Sequence, residues 1–265
     1  MDPLDSARLK LKRANLHANT AKRETTRFFK RYPDATFGIE QEGEPPRLRV
    51  GERFWVRIVV TKGLPNLPDS YSARFGDAIH NYRCVLDHIA WQLVTHGSIP
   101  RPREPWRVQF PIYDERSAFR SQKTTRLPGV DSGPVKFIES RHKYRGGKAT
   151  SQYLLALRDL SNDDKHHSLH LMASAVAQAH HHVTLTNCVD LAFKSPPKSP
   201  ELKRGAVVAR LQLALTVPRQ PKVDVTVTPA AYVVLEDGRA ISDLLGGIRA
   251  EVTEILNAPE ITSAV

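Results

Sequence analysis

The chain has 265 residues, with 39 Lys+Arg against 28 Asp+Glu for a formal net charge of +11, and its 40% hydrophobic content can close a real core. No run approaches the roughly 18 to 20 apolar residues of a membrane span, and the first 30 residues interleave charge with Leu and Ala where a signal peptide would need an apolar core. A cytoplasmic protein is expected. Cys84 and Cys188 form no Cys-x-x-Cys pair and cannot make a disulfide framework, so they read as reduced thiols.

Residues 1–31 carry nine basic and three acidic side chains, and residues 101–148 carry twelve against five, so these two segments hold more than the whole net charge. In the first, Leu4, Ala7, Leu11, Ala14, Ala18, Ala21, Thr25 and Phe28 recur at three- and four-residue spacing, predicting a basic helix over 1–31 with one Ala-rich stripe. Thr36 to Glu42 and Leu48 to Thr61 are rich in β-branched and aromatic residues, predicting strands within 35–62. After the Pro-rich loop 63–69, Phe75, Ile79, Tyr82, Leu86, Ile89 and Leu93 lie on one helical face, predicting a helix over 72–95. Six prolines, with Gly129, Gly133, Gly146 and Gly147, make 97–148 an irregular basic connection. A second helix, whole or kinked, is predicted over 151–182, with Ser161-Asn162 as a cap for its second part. Alternating and β-branched residues predict a sheet over 183–236, and a closing helix follows over 240–257. The expected architecture is a single α+β domain: a helical pair or bundle carrying the polar motifs, framed by an N-terminal β-hairpin and a C-terminal antiparallel sheet.

The helix over 72–95 has an unusual polar side. Asp77, His80, Cys84, Asp87 and Trp91 fall opposite the apolar stripe, and Cys84 and Trp91 suit open solvent poorly, so both faces are expected to be covered. The second helix brings Asp163, His166 and His170 to a common face. Packing of the two helices would draw Asp77, His80 and Asp87 towards Asp164, His166 and His170.

Gly-Asp-x-x-His-Asn-x-Arg-x-x-Leu-Asp-His-x-x-Trp at Gly76–Trp91, followed by Asn-x-Asp-Lys-His at Asn162–His166, resembles an uncharacterised bacterial family, found largely in actinobacteria. Phe110-Pro111-Ile112 between the two blocks fits it as well. More remotely, Arg83 followed after four residues by His88 is similar to the mark of the HEPN superfamily, helical domains that include RNA-cutting toxins and antiviral nucleases. Arg-x4–6-His is a loose pattern that chance alone supplies in a chain this rich in arginine. Cys84 departs from the polar residue usual after that Arg. The resemblance implies a metal-independent endoribonuclease, commonly assembled as a homodimer, with Arg83 and His88 central and His80 and Asp87 supporting. A histidine would move protons and Arg83 would stabilise the phosphorane charge. Asn81, Lys165, His166, Arg141, Lys143 and Arg145 are the candidate RNA-contacting residues, and RNA or another polyanion is the expected partner. No cofactor is needed for that chemistry.

Two other readings stand beside it. The Asp/His/Arg constellation also suits a buried network in a non-catalytic binding or structural module. Alternatively, His166-x-x-x-His170 has the one-turn spacing of a helical metal site, which Asp163 could complete around a divalent ion. His167 stands where a His-Glu-x-x-His enzyme would carry its glutamate.

Overall fold

The computed structural model describes residues 2–31, 36–97, 102–142, 151–166, 169, 171–176, 181–194, 201–227 and 230–265. The chain is α+β and forms two compact units, one from Met1–Arg23, Asp69–Leu169 and Ile241–Val265, the other from Glu24–Pro68 and His170–Ala240. Among the described residues no helix is long and apolar enough to cross a membrane.

The first unit is helical. Helix α1 (Asp5–Arg31) begins here, and Leu4, Ala7, Ala14 and Ala21 of its predicted stripe are buried. Helix α2 (Asp69–His96) follows the proline loop, and all six residues of its predicted apolar face are buried, joined by Ala78, Val85, Ala90 and Val94. Helices α1 and α2 are pinned by polar bonds as well as packing. The phenol of Tyr82 donates to Asn15 Oδ1 at 2.8 Å, and burial pushes its pKa up to about 12, so it stays a neutral donor. Helices α5 (Ser151–His166) and α6 (Ile241–Leu256) pack on α2 and on each other, contributing Leu154, Leu157, Ile248, Val252 and Ile255 to the core. A short α7 (Pro259–Thr262) closes against α4 (Ser132–Ser140).

Residues 102–142 are more regular than their composition predicts. They contain a 3-10 turn (Pro105–Arg107), α3 (Arg116–Arg126) and α4 (Ser132–Ser140). The prolines sit where helices tolerate or end at them: Pro105 opens the 3-10 turn, Pro128 follows the α3 C-cap at Leu127, and Pro134 lies in the first turn of α4. The first helical N–H groups have no intrahelical acceptor, so a proline there removes nothing. Buried Phe119 anchors α3, its ring edge-on to buried His142 at 4.9 Å.

The second unit is antiparallel β-structure. Strands β1 (Thr36–Glu42) and β2 (Arg53–Lys62) form the expected hairpin, and β6 (Val207–Leu215) and β5 (Cys188–Lys194) extend it in the order β1-β2-β6-β5. Alternate residues of β2 (Phe54, Val56, Ile58, Val60) and β6 (Ala209, Leu211, Leu213, Leu215) make its core. Strands β3 (Leu171–Val176) and β8 (Ala230–Leu235) pair, as do β4 (His181–Thr186) and β7 (Lys222–Val227). Pairing runs from Leu171↔Leu235 through His181↔Val227 to Cys188↔Leu215 and Lys194↔Arg210, so the three ladders succeed one another along one interrupted antiparallel ribbon. One interruption is Asn187, held at φ 65, whose carbonyl accepts from Thr216 N at 3.0 Å and whose Nδ2 donates to Gln220 O at 2.9 Å. Asparagine is among the few residues that occupy that region readily.

The helix expected over 151–182 is therefore corrected. Helix α5 ends at His166, and Leu171–Val176 is a strand. The run Leu-Met-Ala-Ser-Ala-Val favours helix locally, but its backbone partner is the Tyr-Val-Val-Leu segment of β8, and pairing overrides that weak preference. Nor does Ser161-Asn162 cap a second helix, since Ser161 lies inside α5 and is buried.

Candidate functional site

The helical period places Arg83 and Asp87 one turn apart on α2, where their side chains meet. Arg83 Nη2 lies 2.9 Å from Asp87 Oδ1, and Arg83 Nε donates to Asp87 Oδ2 at 3.2 Å. The joined pair grips the main chain of Phe110. Phe110 N donates to Asp87 Oδ1 at 2.9 Å, and Phe110 O accepts from Arg83 Nη2 at 2.8 Å. Residue 110 lies outside any strand or helix, so these side chains supply the partners that a sheet neighbour would otherwise provide. Phe110 itself is buried, and Pro111 after it has no N–H to satisfy.

His88 turns elsewhere. Its Nδ1 lies 3.0 Å from Ser6 Oγ of α1, and burial, with Lys10 nearby, holds its pKa below the ordinary value despite the opposing charge of Asp87. The chain thus gives Arg83 and His88 different partners: one secures the 110 segment, the other α1. Asn81 is 8% exposed and donates through Nδ2 to the Asp77 carbonyl at 2.7 Å, one turn back in α2.

The two sequence blocks do meet, at Gly76 and Asp164. A Cβ on residue 76 would overlap the Asp164 carboxylate, so glycine lets α5 bring that group against the α2 backbone. Burial raises the Asp164 pKa, Asp77 raises it further, and His80 partly offsets both. Asp77 Oδ2 also lies 3.6 Å from His17 Nδ1 on α1. The expectation that α2 is covered on both faces is corrected: His80 and Asp77 are exposed, Trp91 is 36% exposed, and Asp87 and Cys84, the latter 3.4 Å from His80 Nε2, are half-buried.

Arg141 is committed to structure. Its guanidinium makes four hydrogen bonds of 2.7 to 3.0 Å, two to Glu251 and two to Glu254 on α6, and the Glu251 side chain is wholly buried. These carboxylates raise the Arg141 pKa further above its already high ordinary value, and the fork that was to meet a phosphate faces α6 instead. Lys143, Arg145 and His170 lie outside the described residues, as do the side chains of Lys165 and His166. Asp163 is exposed on α5. Among the described residues no group of three or more His, Cys, Asp or Glu side chains is placed to hold a metal.

Arg83 and Asp87 also wall a cavity of about 220 Å³. Arg126 of α3, Arg158 and Ser161 of α5, and Tyr113 complete much of the lining. None of these four was legible as a site residue: Arg158 and Ser161 share a face of α5, but Arg126 and Tyr113 come from other parts of the chain with no spacing that links them. Comparison with protein-family models, with curated proteins and with solved structures finds no match to this chain.

Proposed function

We propose that the protein is a non-catalytic binding module for an RNA-type polyanion, in which the Arg83, Asp87 and His88 constellation builds the helical unit and performs no chemistry. The observation that carries this reading is the engagement of the motif residues. Arg83 and Asp87 saturate the main chain of Phe110, and His88 is tied to Ser6 of α1. A ribonuclease of the Arg/His kind needs both groups on one scissile phosphate, within hydrogen-bond reach of it.

The binding surface is argued from charge. On α1, Lys12, Arg13 and Arg23 are exposed, and none has a carboxylate partner among the described residues. Cations spaced along a helix match a phosphate backbone without reading sequence.

The test is a labelled single-stranded RNA followed by fluorescence anisotropy and, in parallel, by gel. Affinity should fall steeply with salt and drop in a Lys12→Ala/Arg13→Ala/Arg23→Ala variant, with the RNA left intact. RNA cleavage that disappears in a folded Arg83→Ala/His88→Ala variant would overturn the non-catalytic reading and favour a site completed across a homodimer, which sedimentation would then reveal. Binding indifferent to salt would overturn the polyanion assignment.

A further inference from the structure

We infer that the cavity beside the Phe110 clamp is a binding site for a phosphate monoester. This deepens the binding reading above by naming a second ligand, and it concerns the guanidinium groups that line this cavity and not the α1 surface. Three arginines reach the cavity from three helices: Arg83 from α2, Arg126 from α3 and Arg158 from α5. Among the described residues the one carboxylate in its lining, Asp87, is already paired to Arg83.

Arg126 is the least compensated of the three. Its Nη1 donates only to neutral acceptors, the Arg107 carbonyl and Gln109 Oε1, both at 3.2 Å, and no carboxylate meets it among the described residues. Arg158 is held from outside by Asp159 at 2.8 Å and Asp114 at 3.7 Å, carboxylates that are themselves more than half exposed and so weakly neutralising. Arg83 keeps its Nη1 without a hydrogen bond among the described residues, on a side chain only 14% exposed.

A second, independent observation points to a ligand. Ser161 is 3% exposed, lines the same cavity, and its Oγ has no hydrogen-bond partner among the described residues. A buried hydroxyl left unpaired is costly, and a serine inside a helix normally returns its proton to the preceding turn. An oxyanion in the cavity would accept that proton.

The chemistry of the donors selects the anion. A planar carboxylate is satisfied by one guanidinium fork, as Asp87 is by Arg83. Forks arriving from three directions, with a hydroxyl, suit the three terminal oxygens and double charge of a phosphate monoester. Such a group can arrive on a small phosphoester or as the 5′ end of a nucleic acid.

Calorimetry on the full chain tests this with inorganic phosphate, a nucleoside 5′-monophosphate, and one short RNA carrying either a 5′-phosphate or a 5′-hydroxyl. Saturable binding of phosphate or the monophosphate is expected, weakened at least about tenfold by Arg126→Gln and by Arg158→Gln, and about threefold by Ser161→Ala. Arg219→Ala, in the β unit, should leave it unchanged. A preference for 5′-phosphate over 5′-hydroxyl RNA that vanishes in Arg126→Gln would identify a nucleic-acid end, and binding of the monophosphate without that preference would identify a free phosphoester. No heat with phosphate or monophosphate at about 10 mM, or unaltered affinity in both arginine variants with thermal melts showing them folded, would overturn the site. Because free phosphate involves no RNA, failure of RNA to bind α1 would leave this result standing.

Discussion

Arg83 and Asp87 act as one unit that takes both main-chain polar groups of Phe110, the N–H at 2.9 Å and the carbonyl at 2.8 Å. An ion pair on a helix surface contributes little by itself. This one does more, because the segment it holds is buried at Phe110 and has no ladder of its own. Asp87→Ala should cost about 2 kcal/mol, most of it from an unpaired Phe110 N–H. In a thermal-denaturation cycle, Arg83→Ala added to Asp87→Ala should cost much less than it does alone, since the two serve one peptide segment. Strictly additive losses would remove the clamp.

Gly76 and Asp164 make the second junction. Gly76→Ala would drive a methyl group into the Asp164 carboxylate, for an expected loss of about 1–3 kcal/mol. Asp164→Ala in the same chain should recover most of it. Denaturant midpoints of the four proteins check this, and equal losses with and without Asp164 would refute it.

Asp164 also carries a pH signature. Its folded pKa is raised by burial first and by Asp77 second, above the ordinary 3.8, so between 3.8 and its folded value the folded chain holds more protons than the unfolded one. Stability contributed by this group is therefore full below 3.8 and falls as pH rises through its folded pKa. Asp164→Asn should melt higher than the parent at pH 7, and that advantage should disappear near pH 3.8 and below. A gain independent of pH would have another origin.

Half-buried His88 and buried His142 work in the opposite sense. Burial is the main cause that lowers the pKa of His88 and of His142 below 6.5, so between their folded values and 6.5 the unfolded chain binds more protons. Stability then declines as pH falls below 6.5. His88→Gln and His142→Gln should each flatten the melting-temperature profile between about pH 6.5 and 5. A parent profile already flat in that range would contradict the assignment.

Arg141 and Glu251 form a charge pair in the helical unit whose carboxylate is wholly buried. Arg141→Ala strands a wholly buried carboxylate and should cost about 3 kcal/mol or more. Glu251→Gln in that background should restore part of the loss, because a neutral amide tolerates burial better. RNA affinity, measured at equal folded fraction, should be untouched by Arg141→Ala.

Much of this molecule is legible without coordinates where one side chain set answers to one period. The Leu4/Ala7/Ala14/Ala21 stripe, the six-residue face of α2, the alternation in β2 and β6, and the α+β class all follow from apolar spacing against solvent. That the polar face of α2 is special was visible in its composition too, since Asp, His, Arg and Cys replace ordinary Lys and Glu.

Tertiary structure decided what those residues do. Residues 171–176 are a strand because β8 lies beside them, a partner some sixty positions away that no local window contains. Pro105, Pro128 and Pro134 read as breakers until their places at helix ends showed each to be compatible with a helix. Arg83 spaced before His88 resembled a reaction centre, yet where a side chain points depends on what packs against the helix, here the Phe110 segment on one side and Ser6 of α1 on the other. Arg126 of α3 converges on one cavity with Arg158 and Ser161 of α5, with no sequence spacing to announce the meeting of the two helices. Periodicity reports which face of an element is buried, and only packing reports which neighbour each polar group on that element finds.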